Sequence, residues 1–504
     1  MNKFNILKKF FYLINNKKLF FLLVPFMFIS SILDLFSLAS VAILINIILD
    51  SPINSNYSFI PFLDLNKIDF SGLNNFIFYS ILIIITFFLK TLMSISINFF
   101  IIHYSLINVE SLRVRLMTSF QKLPYIEFAE KDSSEFLNSI DNYVGNFGGY
   151  IKSFLRISAD LIISTVIIIY LLSINFIIVL SLLGIFLILF LIYNFIFLEK
   201  VRNYGKKSNI ANELMIQGIN EGVYGFKELR ILNLEKQFLN IVKTNAKNIT
   251  TNAFKFQAIQ SIPRYLIEFF LILFIFIGLL IFYIFSETEI ITIIPILGIF
   301  ILACLRLMPL TTQIIASITT MKFSTDALEK LYNIIFDYDY KKSYYDYKNK
   351  TLNDTNDTFN NLKIENISFD YQKNQNQMLN NINLNIKSGE MIGIIGESGS
   401  GKTTLVDIIL GLISPDEGSI LYNSKNFKEN LNLWRSQIAY LPQESFMIND
   451  SIIKNITLGA DQENINYPLI DSLLKEIKLS KLIESLPMGI NSNIGERGMK
   501  LSGG

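Results

Sequence analysis

The chain has 504 residues, of which 51% are hydrophobic and 17% charged, and its formal net charge is +2. This composition is too apolar for an ordinary soluble domain and predicts a membrane protein. The nearly balanced charge gives no bulk signal for nucleic-acid binding. The single cysteine, Cys304, excludes an intrachain disulfide framework, and the single histidine, His103, cannot form a Cys/His metal cluster.

Six apolar runs follow one another in the first two thirds of the chain. Each is about as long as the roughly 20 residues that a membrane-spanning helix needs, or longer. The runs occupy residues 19–49, 76–102, 154–174, 176–198, 265–285 and 290–318. We therefore expect a transmembrane domain over residues 1–336 with six helices, in which a tight hairpin near Asn175 joins the third helix to the fourth.

Lysine and arginine are concentrated in alternate connecting segments. They precede the first run and recur in the loops at 103–152 and 199–257, whereas the segment at 50–75 has only Lys67. The positive-inside rule then predicts that both termini and both long loops are cytoplasmic. The length and mixed polarity of these loops favour helices that continue beyond the bilayer and turn back near 124–134 and 222–230.

The composition changes after the last apolar run. Residues 337–361 are rich in Tyr, Asn, Asp and Lys and are typical of a linker. Short strand-like runs and a helix-like run follow, which predicts a soluble α/β domain over 362–504 with an apolar strand at Met391–Ile395.

A phosphate-binding loop follows that predicted strand. The motif G-x-x-x-x-G-K-[ST] is met between a strand-like and a helix-like run, which is the context it requires. Glycines allow backbone N–H groups to surround phosphates at a helix N-terminus. We predict that Lys402 binds the β- and γ-phosphates of ATP and that the Thr403 hydroxyl is a Mg²⁺ ligand. The predicted ATP-binding segment comprises Gly396, Glu397, Ser398, Gly399, Ser400, Gly401, Lys402, Thr403 and Thr404.

This part of the chain resembles the nucleotide-binding domain of ABC transporters, whose landmarks it carries in order. The resemblance implies that Tyr371, in ISFDY, stacks on adenine and that Gln443, in YLPQES, senses Mg²⁺ and the γ-phosphate. Glu496 and Arg497 match a loop that contacts the coupling helices in exporters. The family signature begins at Leu501, Ser502, Gly503 and Gly504.

The signature implies a dimer, because in the family it covers the ATP held by the opposite subunit. We expect a homodimer rather than a heterodimer. The sequence stops within the signature, before the family's Walker B acid, general base and switch histidine, so we expect no catalytic residue within this chain. A fragment of a longer ATP-hydrolysing transporter is favoured, and a naturally shortened, non-hydrolysing nucleotide-binding membrane protein is the alternative.

The chain as a whole resembles the exporter class of half-transporters: a helical bundle of six transmembrane helices followed by an incomplete α/β P-loop domain. Its membrane part is similar to the bacterial flippases of lipid-linked oligosaccharides. Ile262-Pro263-Arg264, Arg306-Leu307-Met308-Pro309 and the segment 225–232 carry this resemblance. It implies a first coupling helix near Glu127–Asn138 and a second that includes Gly225, Phe226, Lys227 and Glu228.

Charged residues also lie in or near the predicted spans. An intramembrane charge costs about 2.5–3.5 kcal/mol on insertion scales, so each needs a partner or a wet cavity. Lys90, Arg264 and Arg306 belong to three helices and match basic positions of the flippases, which implies a cavity for a diphosphate headgroup. The competing interpretation is ion pairing between helices, for example of Arg306 with Glu268. Asp34 and Asp160 are the other charges of this set.

The sequence thus predicts an ATP- and Mg²⁺-dependent flippase in the bacterial cytoplasmic membrane, which moves a lipid-linked glycan or similar amphipathic substrate. Its expected partners are membrane lipid, the substrate and a second subunit, with no nucleic acid. An exporter of peptide, drug or another lipid remains an alternative. Peptide exporters often carry an N-terminal protease domain, and a chain that begins almost directly with its first helix disfavours that option.

Overall fold

The computed structural model describes residues 3–15, 17–48, 73–174, 176–285, 294–345, 358–371, 378–443, 446–458, 460, 463, 465–495 and 498–500. The chain divides into two units, Met1–Lys348 and Asn349–Gly504. The first is helical and the second contains a small sheet. Each is described below by itself.

The helices of the first unit follow the apolar runs and extend well beyond several of them. Their bounds are α1 Lys3–Leu13, α2 Lys17–Ile48, α3 Leu73–Gln121, α4 Tyr125–Ala129, α5 Ser133–Asn138, α6 Val144–Ile174, α7 Phe176–Tyr193, α8 Glu199–Tyr224, α9 Phe226–Leu232, α10 Glu235–Phe285, α11 Ile294–Phe323 and α12 Thr325–Tyr345. π-helical turns at Ser139–Tyr143 and Asn194–Leu198 connect α5 to α6 and α7 to α8. Helical structure therefore continues across both junctions.

Five helical segments in the described part of the chain are long and apolar enough to cross a membrane. They are Lys17–Ser37, Ser80–Gln121, Ser133–Ser173, Phe176–Tyr224 and Glu235–Gly278. Large apolar side chains such as Phe99, Ile177 and Phe276 are exposed on them, as is expected of surfaces whose solvent is lipid. The last predicted span falls on α11, whose first side chains lie outside the described residues.

Helix α12 continues into the segment that was predicted to be a linker. Its last nine residues, Asp337–Tyr345, are helical. Residues 346–357, which make up most of the remaining linker, lie outside the described part of the chain, and β1 begins at Asn361.

Two apolar clusters hold the helices of the first unit together. One joins α1, α2, α3, α6 and α12 and includes the fully buried Phe10 and Phe147. The other joins α6, α7, α8, α10 and α11 and includes Ile167 and Val201. Helix α6 contributes residues to both clusters, so it connects them.

Gly205 marks the closest approach between α8 and the end of α11. A Cβ atom added at Gly205 would overlap the backbone carbonyl of Phe323. Small residues allow helices to approach this closely, so the position depends on the missing side chain.

We expect Gly205→Ala to destabilise the helical unit by about 1–3 kcal/mol, because a backbone carbonyl cannot move aside as a flexible side chain can. Gly184→Ala is the matched control, since a Cβ at Gly184 in α7 meets nothing within 4 Å. The measurement is thermal unfolding in detergent, followed by a thiol-reactive dye on Cys304, the buried single cysteine of α11. Equal unfolding temperatures for the two variants would contradict the close-packing argument.

The second unit contains a four-stranded antiparallel sheet in the order β2-β1-β3-β4. Its strands are β1 Asn361–Phe369, β2 Leu379–Lys387, β3 Glu417–Tyr422 and β4 Lys425–Asn426. Its helices are α13 Lys402–Ile409, α14 Leu431–Ser436, α15 Ile452–Thr457, α16 Tyr467–Glu476 and α17 Ser480–Ser485. Leu362, Ile364 and Ile367 of β1 are buried, so the central strand supplies the core of this unit.

The predicted strand at Met391–Ile395 is wrong. Residues 391–395 have no regular secondary structure, and Ile395 is 97% exposed. A strand requires a neighbour that accepts and donates its ladder hydrogen bonds. Within the described residues no strand pairs with this segment, so its apolar composition alone does not make it a strand.

Candidate nucleotide site and intramembrane charge cluster

The phosphate-binding loop ends where α13 begins. Gly399 and Gly401 have φ angles of 84° and 87°, a left-handed conformation that glycine adopts without steric cost. Gly401 is the N-cap of α13, so the next residue, Lys402, opens the helix. The Lys402 ammonium group donates to the carbonyl oxygens of Gly396 and Glu397 at 2.8 and 2.7 Å. The lysine therefore lies across the loop that it is predicted to serve.

Two glycines of the loop lie so close to neighbouring atoms that a side chain would collide with them. A Cβ atom at Gly396 would lie 2.6 Å from the Ser400 hydroxyl oxygen. At Gly401 it would lie 2.9 Å from a methyl carbon of Leu379 and 3.0 Å from the Met378 carbonyl oxygen. The loop is thus held against the start of β2 with its backbone uncovered. A backbone of this kind followed by a helix N-terminus fits a phosphate chain.

Tyr371, the predicted adenine-stacking residue, lies next to this helix. Its hydroxyl group is 3.4 Å from the hydroxyl oxygen of Thr404, which is buried in the first turn of α13. Its ring packs edge-to-face on Phe369 with 5.0 Å between the ring centroids. The Tyr371 side chain is 45% exposed, so part of it can contact a ligand. Stacking on adenine stays a prediction.

The predicted Mg²⁺ ligands are both exposed. Thr403 lies in the first turn of α13, and Gln443 lies outside the regular elements. Hydroxyl and amide oxygens are ligands that Mg²⁺ accepts, and it usually takes further oxygens from the nucleotide and from water. The donor set therefore fits Mg²⁺ only together with ATP. No group of three His, Cys, Asp or Glu residues that could hold a metal was found among the described residues.

The predicted signature and its neighbours are described only in part. Glu496, Arg497, Leu501, Ser502, Gly503 and Gly504 lie outside the described residues. Gly495 and Gly498, on either side of Glu496 and Arg497, have φ angles of 78° and 72°. The roles of this segment stay predictions.

The segments that match the coupling helices are short helices at the ends of long ones. Gly225 ends α8 and is also the N-cap of α9, the helix Phe226–Leu232. The apolar side chains of Phe226, Ile231 and Leu232 are exposed, and the Arg230 guanidinium lies over the Phe226 ring. Helices α4 and α5 cover the segment 127–138, where the first coupling helix is predicted. An exposed apolar end fits a docking element.

A polar network ties α5 to α8 and α12. The Asn212 side chain donates to Asn138 at 2.7 Å, and Asn209 donates to Asp326 at 2.9 Å. The Lys330 ammonium donates to the Tyr143 hydroxyl, which donates to Glu213. Hydrogen bonds between polar side chains of different helices help to fix the helices relative to one another, although the amide nitrogen of Asn138 is buried and has no partner among the described residues. The network therefore holds α5 against α8 and α12, and α5 and α8 are next in the chain to the short helices α4 and α9.

Two of the three predicted cavity residues meet on one acid. The Lys90 ammonium lies 2.8 Å from a carboxylate oxygen of Asp34, and the Arg306 guanidinium contacts the same oxygen. Asp34 is fully buried, whereas Arg306 is about one third exposed. The cluster joins α2, α3 and α11. Ion pairing between helices, the competing interpretation of these charges, is therefore present, although the acid is Asp34 and not Glu268. The predicted substrate cavity of Lys90, Arg264 and Arg306 stays a prediction.

The remaining intramembrane charges lie apart from this cluster. Arg264 and Glu268 are exposed on α10, and within the described residues the cations that contact Asp34 are Lys90 and Arg306. Asp160 is buried on α6 and lies 3.3 Å from Arg156 one turn earlier. The sequence pointed to Asp34 only as a costly charge. Its role as the shared partner depends on three helices that are far apart in sequence.

Burial raises the pKa of Asp407, a carboxyl at the end of α13 that has little contact with water. A raised pKa in the folded state means that folding favours the protonated form. The contribution of this carboxyl to the stability of the second unit is then greatest at pH values below its pKa in the unfolded chain. That contribution is lost as pH rises through its pKa in the folded protein.

We expect Asp407→Asn to raise the unfolding temperature of the second unit at pH 7, with the gain disappearing near pH 3, below the ordinary Asp pKa of about 3.9. Trp434, the single tryptophan, donates to the Ile409 carbonyl at the end of α13, so its fluorescence reports this unit. The exposed Asp471→Asn on α16 controls for loss of a surface charge. A gain that is the same at both pH values would refute the burial argument.

Long membrane-spanning helices together with a glycine loop at a helix N-terminus define a membrane protein with a P-loop nucleotide-binding unit. Comparison with known proteins specifies the class further. The family of the ABC transporter transmembrane region matches residues 24–302, more than half of the chain, and the ABC transporter family matches residues 379–504. The chain belongs to the ABC transporters.

Individual relatives match a shorter part. An ATP-dependent lipid A-core flippase of Cupriavidus pinatubonensis is 35% identical over 145 residues, which is 28% of this chain and 25% of the relative. A multidrug resistance-like ATP-binding protein of Buchnera aphidicola is 40% identical over 144 residues, or 28% of this chain and 24% of the relative. The chain thus spans about a quarter of the length of these curated relatives.

The fold also has a solved counterpart. A bacterial Atm1-family ABC exporter with ATP bound superimposes with a TM-score of 0.70 and 15% sequence identity, covering 96% of this chain and 80% of the other. This likeness identifies the exporter fold, a helical transmembrane region followed by a nucleotide-binding domain.

Proposed function

We propose that this chain is part of an ATP-driven flippase that moves a lipid-linked glycan or similar amphipathic substrate across the bacterial cytoplasmic membrane. The observation that carries the proposal is the presence, in one ABC chain, of a P-loop and of a basic cluster inside the membrane-spanning bundle. The flippase names of several relatives agree with it. Both termini and the segments α4, α5 and α9 then lie on the cytoplasmic side.

ATP with Mg²⁺ would supply the energy, since hydrolysis releases the closed state of two paired nucleotide domains. The chain's own residues bind and orient the nucleotide. Lys402, which contacts the carbonyls of Gly396 and Glu397 in this structure, would contact phosphate instead, and Thr403 and Gln443 would hold Mg²⁺. Tyr371 supports the base beside Thr404. The signature residues that begin at Leu501 would cover the nucleotide of a second subunit, and we propose that this subunit is another copy of the chain.

The headgroup would bind at the basic cluster. Two cations against one carboxylate leave one positive charge near the level where α2, α3 and α11 meet. A phosphate-bearing headgroup can bind there while its lipid tail stays in the bilayer. Arg264 lies exposed on α10 and would assist at the entrance to the site. Lys90 offers a point charge and Arg306 a planar fork, so only Arg306 can bind a phosphate bidentately.

The test uses the protein made from its complete reading frame, reconstituted in liposomes. A fluorescent lipid-diphosphate oligosaccharide, a cationic dye and a labelled peptide are offered separately with Mg²⁺ and either ATP or a non-hydrolysable ATP analogue. We expect ATP-dependent movement of the glycolipid alone. ATP-dependent movement of dye or peptide without the glycolipid would assign the chain to an exporter of other cargo. No ATP-dependent movement of any probe would refute the transport proposal.

A further inference from the structure

The cluster of Asp34, Lys90 and Arg306 is unbalanced in charge and incompletely satisfied. Both cations contact the same oxygen of Asp34. Its second carboxylate oxygen and the Nε atom of Arg306 are buried and have no hydrogen-bond partner among the described residues. The hydroxyl of Ser30, one helical turn before Asp34 on the same face of α2, is buried and unsatisfied in the same way.

Unpaired polar atoms are rare in protein interiors, because each loses its hydrogen bonds to water without replacement. Here such atoms lie together with an excess positive charge. Two of them, Arg306 Nε and the Ser30 hydroxyl, are donors that an oxyanion can accept from. The groups at this junction are therefore suited to a ligand that is anionic and rich in acceptor oxygens.

Asp34 is itself an anion that binds these cations. As a fully buried carboxylate it is stable only while a cation neutralises it, and either Lys90 or Arg306 is sufficient for that. Lys90 is almost buried, while Arg306 is about one third exposed. Arg306 is consequently the cation that a ligand can reach, and Lys90 is the one that stays with Asp34.

We propose that Asp34 is an internal counter-ion that competes with the substrate: an amphiphile with a phosphate-type headgroup takes Arg306 from Asp34 and thereby releases α11 from α2. Asp34 is a positioning residue in this scheme, since it acts through Arg306. The inference rests on the proposed function, because it concerns the same basic site. It adds that Asp34 sets the affinity of the site for the headgroup and that headgroup binding is linked to the separation of α11 from α2.

The test measures binding of radiolabelled farnesyl diphosphate to the chain in lipid nanodiscs. Every protein carries Lys402→Ala, so that the phosphate loop does not take up the diphosphate. We expect Asp34→Asn to bind the probe about tenfold more tightly than the parent, because the internal competitor is gone. Asp160→Asn is the matched control, since Asp160 is a buried carboxylate that pairs with Arg156 outside the cluster. Its affinity is expected to equal that of the parent.

Competition with inorganic pyrophosphate shows whether the ligand is a membrane amphiphile or a soluble anion. Farnesyl diphosphate that binds well and is displaced only weakly by pyrophosphate supports a membrane amphiphile. Pyrophosphate that binds as tightly as the lipid overturns that assignment and indicates a soluble anion. Equal or weaker probe binding by Asp34→Asn overturns the counter-ion role while the basic site stands. Failure of parent and variant alike to bind either probe contradicts the headgroup site of the proposed function itself.

A second variant covers the case in which Asp34→Asn does not fold. Asp34→Asn combined with Lys90→Gln keeps the net charge of the cluster and leaves Arg306 without a competitor, so tighter binding is again expected. The buried Cys304, two residues before Arg306 in α11, reports the release. Farnesyl diphosphate should speed its labelling by a thiol dye in the parent protein. Labelling that is unchanged by the probe would overturn the proposed release of α11.

Discussion

Replacing Lys402 by Ala is expected to weaken ATP binding roughly tenfold to hundredfold, since a hydrogen bond to a charged group contributes about 1.5–3 kcal/mol. The ammonium group lies across the loop, 2.8 Å from the Gly396 carbonyl oxygen, and Lys402 is the first residue of α13. Transport by the protein from the complete reading frame should fall to the level without ATP. Quenching of the fluorescence of Trp434, which lies on α14 and donates to the Ile409 carbonyl at the end of α13, measures the binding.

Lys481→Ala is the control for this change. Lys481 is exposed on α17, so its removal subtracts a positive charge without touching the loop. It should leave ATP affinity unchanged. A Lys402→Ala protein that transports at the normal rate would refute both the assigned role of the lysine and the ATP-driven mechanism.

Replacing Arg306 by Gln is expected to reduce glycolipid transport at least tenfold while the protein still folds. Loss of one charge-assisted contact to a phosphate accounts for this size of effect. Folding should survive because Lys90 continues to neutralise Asp34 at 2.8 Å. By contrast, Asp34→Ala leaves two cations without their acid and should cost about 3–5 kcal/mol of stability. Transport in liposomes and thermal labelling of Cys304 measure the two effects separately.

Lys322→Gln, in the last turn of the same helix α11, controls for loss of a positive charge and should transport normally. Arg264→Gln should have a smaller effect than Arg306→Gln, because Arg264 is exposed and outside the ion-paired cluster. Equal losses at Arg264 and Arg306 would contradict the separation that the structure makes between them. Normal glycolipid transport by Arg306→Gln would remove Arg306 from the headgroup site.

Features that depend on neighbouring residues in the chain could be predicted from the sequence. The nine residues 396–404 carry the predicted loop motif, and the structure has positive φ angles at Gly399 and Gly401 and the predicted helix from Lys402. The long apolar runs likewise predict helices, because in lipid a helix satisfies its own backbone. These are local properties, so no knowledge of the rest of the fold was needed.

Only the tertiary structure decided which distant residues meet. Asp34, Lys90 and Arg306 lie on α2, α3 and α11, and no periodicity identifies Asp34 rather than Glu268 as the partner of Arg306. The contact between Tyr371 and Thr404 depends on where β1 ends relative to α13. The segment 391–395 has the composition of a strand but has no paired strand among the described residues. Ion pairs, ring contacts and ladder hydrogen bonds need two partners, and the packing of the chain alone determines whether the second one is present.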